Sequence, residues 1–321
     1  MTADRKRFSL KKRVSEENYT VVFLVAILIV LLAVKSESFL TYDSIYSVLY
    51  GISIQFFAAL GFTILVITGE INLATGSVYG LSGTLVGYCI YVFGWSLWPS
   101  IVVVLILCAA FGWGLGWLIT KFRLNSMMVT LGIQSFLYGL NSLAFNGFPH
   151  RTYAADYRAI AKFRIFNIHW TILAMIVIVV VLGILMKRLP SLRRFYYVGS
   201  NKETANLYGI KGDRIKQVAF MLSFLTAAIG GIIATSRISY SDMNLGLDLT
   251  FTLIIACVIG GTSLAGGKGS VLRAALGLLF VSLLTNVMAV YGFDPYEQQV
   301  VMGIVLVIAV LADAHVSAQK H

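Results

Sequence analysis

The chain has 321 residues, 58% of them hydrophobic and only 12% charged, with a mean hydropathy of +0.84 and a net charge of +11. A soluble domain would carry about a quarter charged residues, whereas here the apolar residues fall in blocks of roughly twenty, the length that crosses a ~30 Å hydrocarbon layer as a helix. The composition excludes an ordinary soluble protein and predicts an all-α polytopic membrane protein.

Residues 1–19 are basic and run into an apolar stretch with no small-residue cleavage site, so they read as a cytoplasmic segment ahead of an uncleaved anchor. Spans are then predicted near residues 20–35, 45–68, 76–94, 98–120, 125–147, 170–186, 217–236, 249–264, 271–291 and 297–313, about ten in all. They form a single transmembrane domain over 20–313, followed by a tail at 314–321. With the N-terminus inside, nineteen Lys and Arg residues fall on the inner side. Only Lys35, Arg151, Arg158, Lys162, Arg164 and Arg237 fall outside. This positive-inside bias puts both termini in the cytoplasm and explains the basicity without a nucleic-acid partner.

Within the spans, Cys89, Cys108 and Cys257 are an odd set with no short spacing, which predicts small buried hydrophobes rather than a disulfide framework or a metal site. Gly112 and Gly116 of GWGLGW make a small-residue face for helix contact. Trp95, Trp98 and Trp170 sit at predicted interfaces as belt residues. The four histidines are scattered through loops, interfaces and the tail, so no catalytic constellation forms and the chain does not read as an enzyme.

Two segments echo each other: ITGEINLATGSV at 67–78 and IGGTSLAGGKGSV at 259–271. Interrupted segments at matching places in two halves mark substrate paths in transporters, although two glycine-rich turns can also coincide by chance. The second copy is not a phosphate loop. A glycine is required at position 262, which is Thr262, and Lys268 is followed by Gly269 rather than Ser or Thr. Gly76, Gly260, Gly261, Gly266, Gly267 and Gly269 are instead expected to break or join helices, which a membrane tolerates only where protein or a water-filled cavity covers the backbone. Glu70 in the first copy reads either as a carboxylate on a path or as a solvated helix end at the inner surface.

The largest inner connection, 187–216, is too short for a core of its own. Within it, Ser200 and Glu203 form a capping-box pattern and Gly209 suits the C′ position, predicting a helix over 201–208. So short a helix needs a surface to lean on. Leu207 and Tyr208 give only a modest apolar face, which favours a protein partner over lipid.

The blocks LGFTILVITGEINLATGSVYGLSG (60–83), VGSNKETANLYGIKGDRIKQVAFMLSFLTAAIGGIIATSRI (198–238) and LDLTFTLIIACVIGGTSLAGGKGSV (247–271), with the weaker LNSMMVTLGIQSFLYGL (124–140), resemble the permease of ribose-type, monosaccharide-class ABC importers. The resemblance implies a permease of about ten helices in a bacterial inner membrane, paired with a second copy or a similar permease. An ATPase subunit would lie beneath and a periplasmic substrate-binding protein above, with no cofactor on this chain and ATP and magnesium held by the ATPase. It also implies that the stretch around Ser200, Glu203, Ala205, Leu207 and Gly209 is the helix that couples to the ATPase. One departure stands out: the family's Gly-Gly-Ile-Asp-Leu is Gly69-Glu70-Ile71-Asn72-Leu73 here, so a carboxylate is gained at 70 and another lost at 72. A sugar path needs polar, uncharged lining, for which Gln55, Asn72, Gln134, Asn141 and Asn286 are candidates beside Gly69 and Glu70. The substrate stays open among ribose-like sugars, autoinducer sugars and nucleosides. An ion-coupled secondary transporter of a small polar solute is the alternative, and it should carry ionisable residues deep in the spans.

Overall fold

The computed structural model describes residues 25–30, 32, 41–144, 150–151, 155–242 and 244–318. The predicted first span, 20–35, lies mostly outside them. In chain order the helices are α1 (Tyr42–Ile67), α2 (Thr75–Tyr91), α3 (Leu97–Phe122), α4 (Ser126–Ala144), α5 (Ala155–Lys162), α6 (Trp170–Arg188), α7 (Pro190–Ser200), α8 (Lys202–Leu207), α9 (Gly212–Ile238), α10 (Leu249–Ile259), α11 (Val271–Val290) and α12 (Pro295–Ala318). Four two-residue strands complete the described fold. β1 (His150–Arg151) pairs antiparallel with β4 (Tyr240–Ser241), and β2 (Arg164–Ile165) pairs with β3 (Ile168–His169).

Five of these helices, α1, α3, α6, α9 and α11, are long and apolar enough to cross a membrane. Burial sorts them. α1 and α9 are 78% and 67% buried, against 22% for α3 and α6. Before their basic last turns, the exposed residues of the two peripheral helices are apolar, including Val102 and Ile106 on α3 and Val177 and Val180 on α6, as lipid-facing surfaces require. α9 is the hub and packs on α1, α2 and α3.

Small residues allow that packing, because lipid tails give no hydrophobic drive between helices and close backbone approach must supply the contact. A Cβ on Gly61 would lie 2.6 Å from the Leu222 carbonyl of α9, and one on Gly231 would lie 1.9 Å from the Tyr79 carbonyl of α2. Gly112 and Gly116 of α3 lie as the sequence predicts: added Cβ atoms would come 2.7 Å from Phe224 Cβ and 2.9 Å from Gln217 Cα.

The boundaries follow local chemistry. Asn125 caps α4, its Oδ1 accepting the Met127 and Met128 N–H groups at 2.9 and 3.3 Å. Asp294 Oδ1 accepts the Tyr296 and Glu297 N–H groups while Glu297 Oε2 accepts that of Asp294, a reciprocal capping box that starts α12 behind Pro295. The predicted span 249–264 is shorter in the structure, because α10 ends at Ile259 and the chain leaves the helix through the glycine-rich stretch. The connection 187–216 holds two helices rather than the one expected: Pro190 starts α7, which buries Phe195 and Val198.

Candidate functional site

Most of the chemistry-bearing features gather at the two ends of the bundle. The end carrying residues 187–216, the loop end, holds both echoed glycine segments. They meet there. α1 stops at Ile67, and its free carbonyl accepts the Gly267 N–H at 2.9 Å. A Cβ on Gly266 would lie 2.7 Å from Gly69 Cα, and one on Gly199, in the last turn of α7, would lie 1.9 Å from the Ile67 carbonyl. Gly69, Gly266 and Gly267 have φ of 79°, 86° and 73°, the left-handed region that glycine enters without steric cost. Tyr196 of α7 donates its hydroxyl to the Gly269 carbonyl at 3.1 Å. Two helix breaks and the approach to α8 thus form one knot of backbone.

Two of the predicted helix-break glycines also serve close packing, one inside a helix and one at a helix end. Gly76 lies inside α2, where a Cβ would sit 2.1 Å from the Gly246 carbonyl. Gly260 has ordinary backbone angles (φ −66°) and lets α10 approach Arg273 of α11, where its Cβ would come 2.4 Å from the carbonyl. Gly76 serves close approach alone, while Gly260 also ends α10 as its C-cap residue.

Buried irregular backbone needs partners, and the first break finds them in side chains of neighbouring helices. Thr130 Oγ1 accepts the Leu73 N–H at 3.0 Å. Thr250 Oγ1 donates to the Leu73 carbonyl at 3.1 Å and accepts the Gly76 N–H at 2.9 Å. Asn72, fully buried, accepts the Ala74 N–H at 3.0 Å and donates to Ser223 Oγ of α9 at 3.2 Å. Asn72 is therefore part of the break's own scaffold.

Glu70 forms an ion pair with Lys216 of α9, with side-chain exposures of 13% and 16%. Both line a cavity of about 440 Å³ together with Thr120, Arg123, Lys202, Glu203, Asn206 and Asp213. The carboxylate thus stands at the loop end beside α8, ion-paired and largely shielded rather than solvated.

α8 has six residues, Lys202–Leu207. Its N-cap is Asn201, whose side chain accepts the Thr204 N–H at 2.8 Å, and not Ser200, which lies in the last turn of α7 with helical hydrogen bonding. A cap needs extended backbone, and only Asn201 has it, with φ −162° and ψ 108°. The C-terminus closes as the sequence predicts. Gly209 has φ +77°, with its N–H on the Asn206 carbonyl and that of Ile210 on the Ala205 carbonyl, both at 3.0 Å, a Schellman pair. Ala205 is buried, while Glu203 and the apolar pair Leu207 and Tyr208 are exposed, the last two at 87% and 83%. α8 is fastened to the first turn of α9 twice: Lys202 Nζ lies 2.6 Å from Asp213 Oδ1, and Asn206 Oδ1 accepts the Gly212 N–H at 3.0 Å.

At the far end a cleft of about 770 Å³ opens between α1, α10, α11 and α12. Gln55 and Asn286 line it with Thr252, Ser282, Gln298, Arg237 and Asp248. Gln299, also on its wall, donates to Asp248 Oδ2 at 2.9 Å. Gln134 and Asn141 stand elsewhere, on the face of α4 turned to α2: the Gln134 carbonyl accepts from Ser77 Oγ at 3.1 Å, and Gly80 lies beside Asn141. Arg237, Asp248, Gln298 and Gln299 were not singled out as site residues from the sequence. The signal available was Asp248 and the Glu-Gln-Gln run of α12 at two helix starts that face one another.

A bundle of apolar helices, with a polar cleft at one end and a capped helix presented at the other, is the architecture of a membrane permease. Residues 44–310 match the family described as the permease component of branched-chain amino acid transport systems, and the chain belongs to it. It is 32% identical to the ribose import permease protein RbsC of Bacillus subtilis over 91% of both chains. It is also 27% identical to the L-arabinose transport system permease protein AraH of Escherichia coli K12 over 95% of this chain and 92% of AraH. The autoinducer 2 import system permease protein LsrC of Photorhabdus laumondii is 29% identical over 93% and 90%. No solved structure matches the chain.

Proposed function

We propose that the chain imports a monosaccharide, or a chemically similar polyol, as the membrane subunit of an ATP-binding-cassette importer in a bacterial cytoplasmic membrane. Relatives named for ribose, arabinose and autoinducer 2 support that substrate class. The far-end cleft supports it too, since amides and hydroxyls at Gln55, Thr252, Ser282, Asn286 and Gln298 can exchange hydrogen bonds with sugar hydroxyls. In this reading the chain has about ten helices over 20–313, with both termini and the loop end in the cytosol and the cleft facing an exported binding protein. A second copy or a similar permease completes the pathway, and ATP and magnesium reside on a separate ATPase subunit.

The observation that carries the reading is α8: capped at both ends, too short to persist alone, and presenting exposed Glu203, Leu207 and Tyr208 beyond the bundle. It is the surface on which an ATPase would push. From α8 the contacts are continuous. Lys202–Asp213 and Asn206–Gly212 join it to α9, Lys216–Glu70 joins α9 to the first break, and the glycine knot joins that break to the second. α9 then crosses the bundle to Arg237 on the cleft wall. A displacement imposed at α8 reaches the cleft through one stiff helix.

An ion-coupled carrier is not favoured. No Asp, Glu, Lys or Arg among the described residues is buried, and Glu70 is matched by Lys216. The test is ATP-driven sugar uptake by the permease reconstituted with its ATPase and binding protein. Deletion of 200–209, or Glu203→Lys, should abolish uptake while membrane insertion stays normal. Full uptake after the deletion would defeat the proposal.

A further inference from the structure

The charge bias along the chain leaves six basic residues on the far side, and three of them, Lys162, Arg164 and Arg237, converge. With Tyr50 and His169 they surround a cavity of about 500 Å³ that no carboxylate among the described residues lines. None of the three cations has an ion pair among the described residues. Tyr50 stacks on His169 with ring centroids 3.8 Å apart, and the Arg237 guanidinium lies 4.6 Å from the Tyr50 centroid. The platform is fixed from outside as well: the Tyr50 hydroxyl donates to the Ala161 carbonyl at 2.8 Å, and Tyr46 Oη accepts the His169 N–H at 2.9 Å. The His169 imidazole is held below its usual pKa, first by burial and then by the charges of Arg164 and Arg237.

The hairpin beside this cavity has an unusual tip. Its two central residues, Phe166 and Asn167, have φ of 51° and 63°, a geometry normally given to Asn-Gly. A bulky residue is costly there, yet Phe166 occupies it and is 93% exposed, with exposed Phe163 and Ile165 close by. β3 runs directly into α6, whose outward residues Ile176, Val180 and Ile184 face hydrocarbon. That connection places the hairpin at headgroup depth, where aromatic rings over acyl chains and cations near phosphates are both stabilised.

We propose that this cavity binds the phosphate of an anionic phospholipid at the far membrane surface, gripped by Lys162, Arg164 and Arg237 over the Tyr50–His169 platform, with the hairpin tip seated among the acyl chains. The site is separate from the sugar cleft, although Arg237 stands on the wall between them. The lipid would hold that residue from the side opposite the substrate. Lipid is favoured over an acidic protein surface because the exposed ring at the tip continues the hydrocarbon-facing side of α6.

The experiment titrates purified full-length permease in detergent with phosphatidylglycerol and with phosphatidylcholine and counts bound lipid by native mass spectrometry. The parent protein should prefer phosphatidylglycerol. Lys162→Gln and Arg164→Gln should each lower that preference roughly fivefold, and the charge-conserving Arg164→Lys should retain it. Equal retention of the two lipids by the parent, or an unchanged preference in the Lys162→Gln/Arg164→Gln double variant, would overturn the proposal. So would displacement of the lipid by millimolar glycerol 3-phosphate, which would mark a soluble-anion site. Loss of binding-protein capture by the double variant with lipid preference intact would reassign the patch to protein docking.

Discussion

The loop end and the far end are built on opposite principles. At the loop end backbone touches backbone, with the Ile67 carbonyl, Gly199, Gly266 and Gly267 packed where no Cβ fits. At the far end four helices stand apart and only side chains reach into the space between them. A close-packed junction has low compressibility and passes on displacement, while an open cleft lined by rotatable amides can adapt to a solute. In the proposed function, the first end is the one pushed and the second the one that admits.

If that contrast holds, substitutions at the loop end should cost folding or coupling, and those at the far end should change only affinity. Gly199→Ala should have the largest effect, because the new methyl meets a hydrogen-bonded carbonyl at 1.9 Å and has nowhere to go. The expected destabilisation is at least about 3 kcal/mol, read as lost folded yield and a lowered melting temperature. Thr250→Val should come next. It leaves the Gly76 N–H and the Leu73 carbonyl without the hydroxyl they share, at about 1–3 kcal/mol, and circular-dichroism melting would measure it.

Glu70→Gln should uncouple more than it unfolds. Removing one member of a partly exposed pair costs about 1–2 kcal/mol, between the surface and buried cases, but ATP hydrolysed per sugar imported should rise. The exchanged pair Glu70→Lys/Lys216→Glu should recover most of the coupling. If the exchange is as poor as either single change, the pair is not the connection. Gln55→Ala and Asn286→Ala should have the smallest effect, a severalfold weaker apparent affinity for sugar at normal protein stability. A large loss of stability at either residue would contradict the adaptable cleft.

The sequence was most informative where chemistry is local. Gly209 as C′, the Gly112/Gly116 face and the two interrupted segments each depend on a few neighbouring residues, and the structure has all of them in place. α7 escaped because its polar, amphipathic stretch looks like loop once apolar spans are being counted, although Pro190 marked its first turn. That omission moved the cap of α8 from Asn201 to Ser200. The path residues scattered for a different reason. A list of polar positions carries no helix rotation, so Gln134 and Asn141, two turns apart on α4, face α2 rather than the cleft that Gln55 and Asn286 share. Lys216 was counted as a topology charge, and nothing linear in the chain pairs it with a carboxylate 146 positions earlier.

The bare Leu207–Tyr208 tip of α8 has a consequence beyond transport. On the proposed function, a permease made in excess of an ATPase partner would show the cytosol a greasy, unclaimed corner, the kind of surface that quality-control proteases and chaperones seek out. Surplus copies would then be culled and assembled ones spared, so the ratio of subunits would be set after synthesis by which copies find cover.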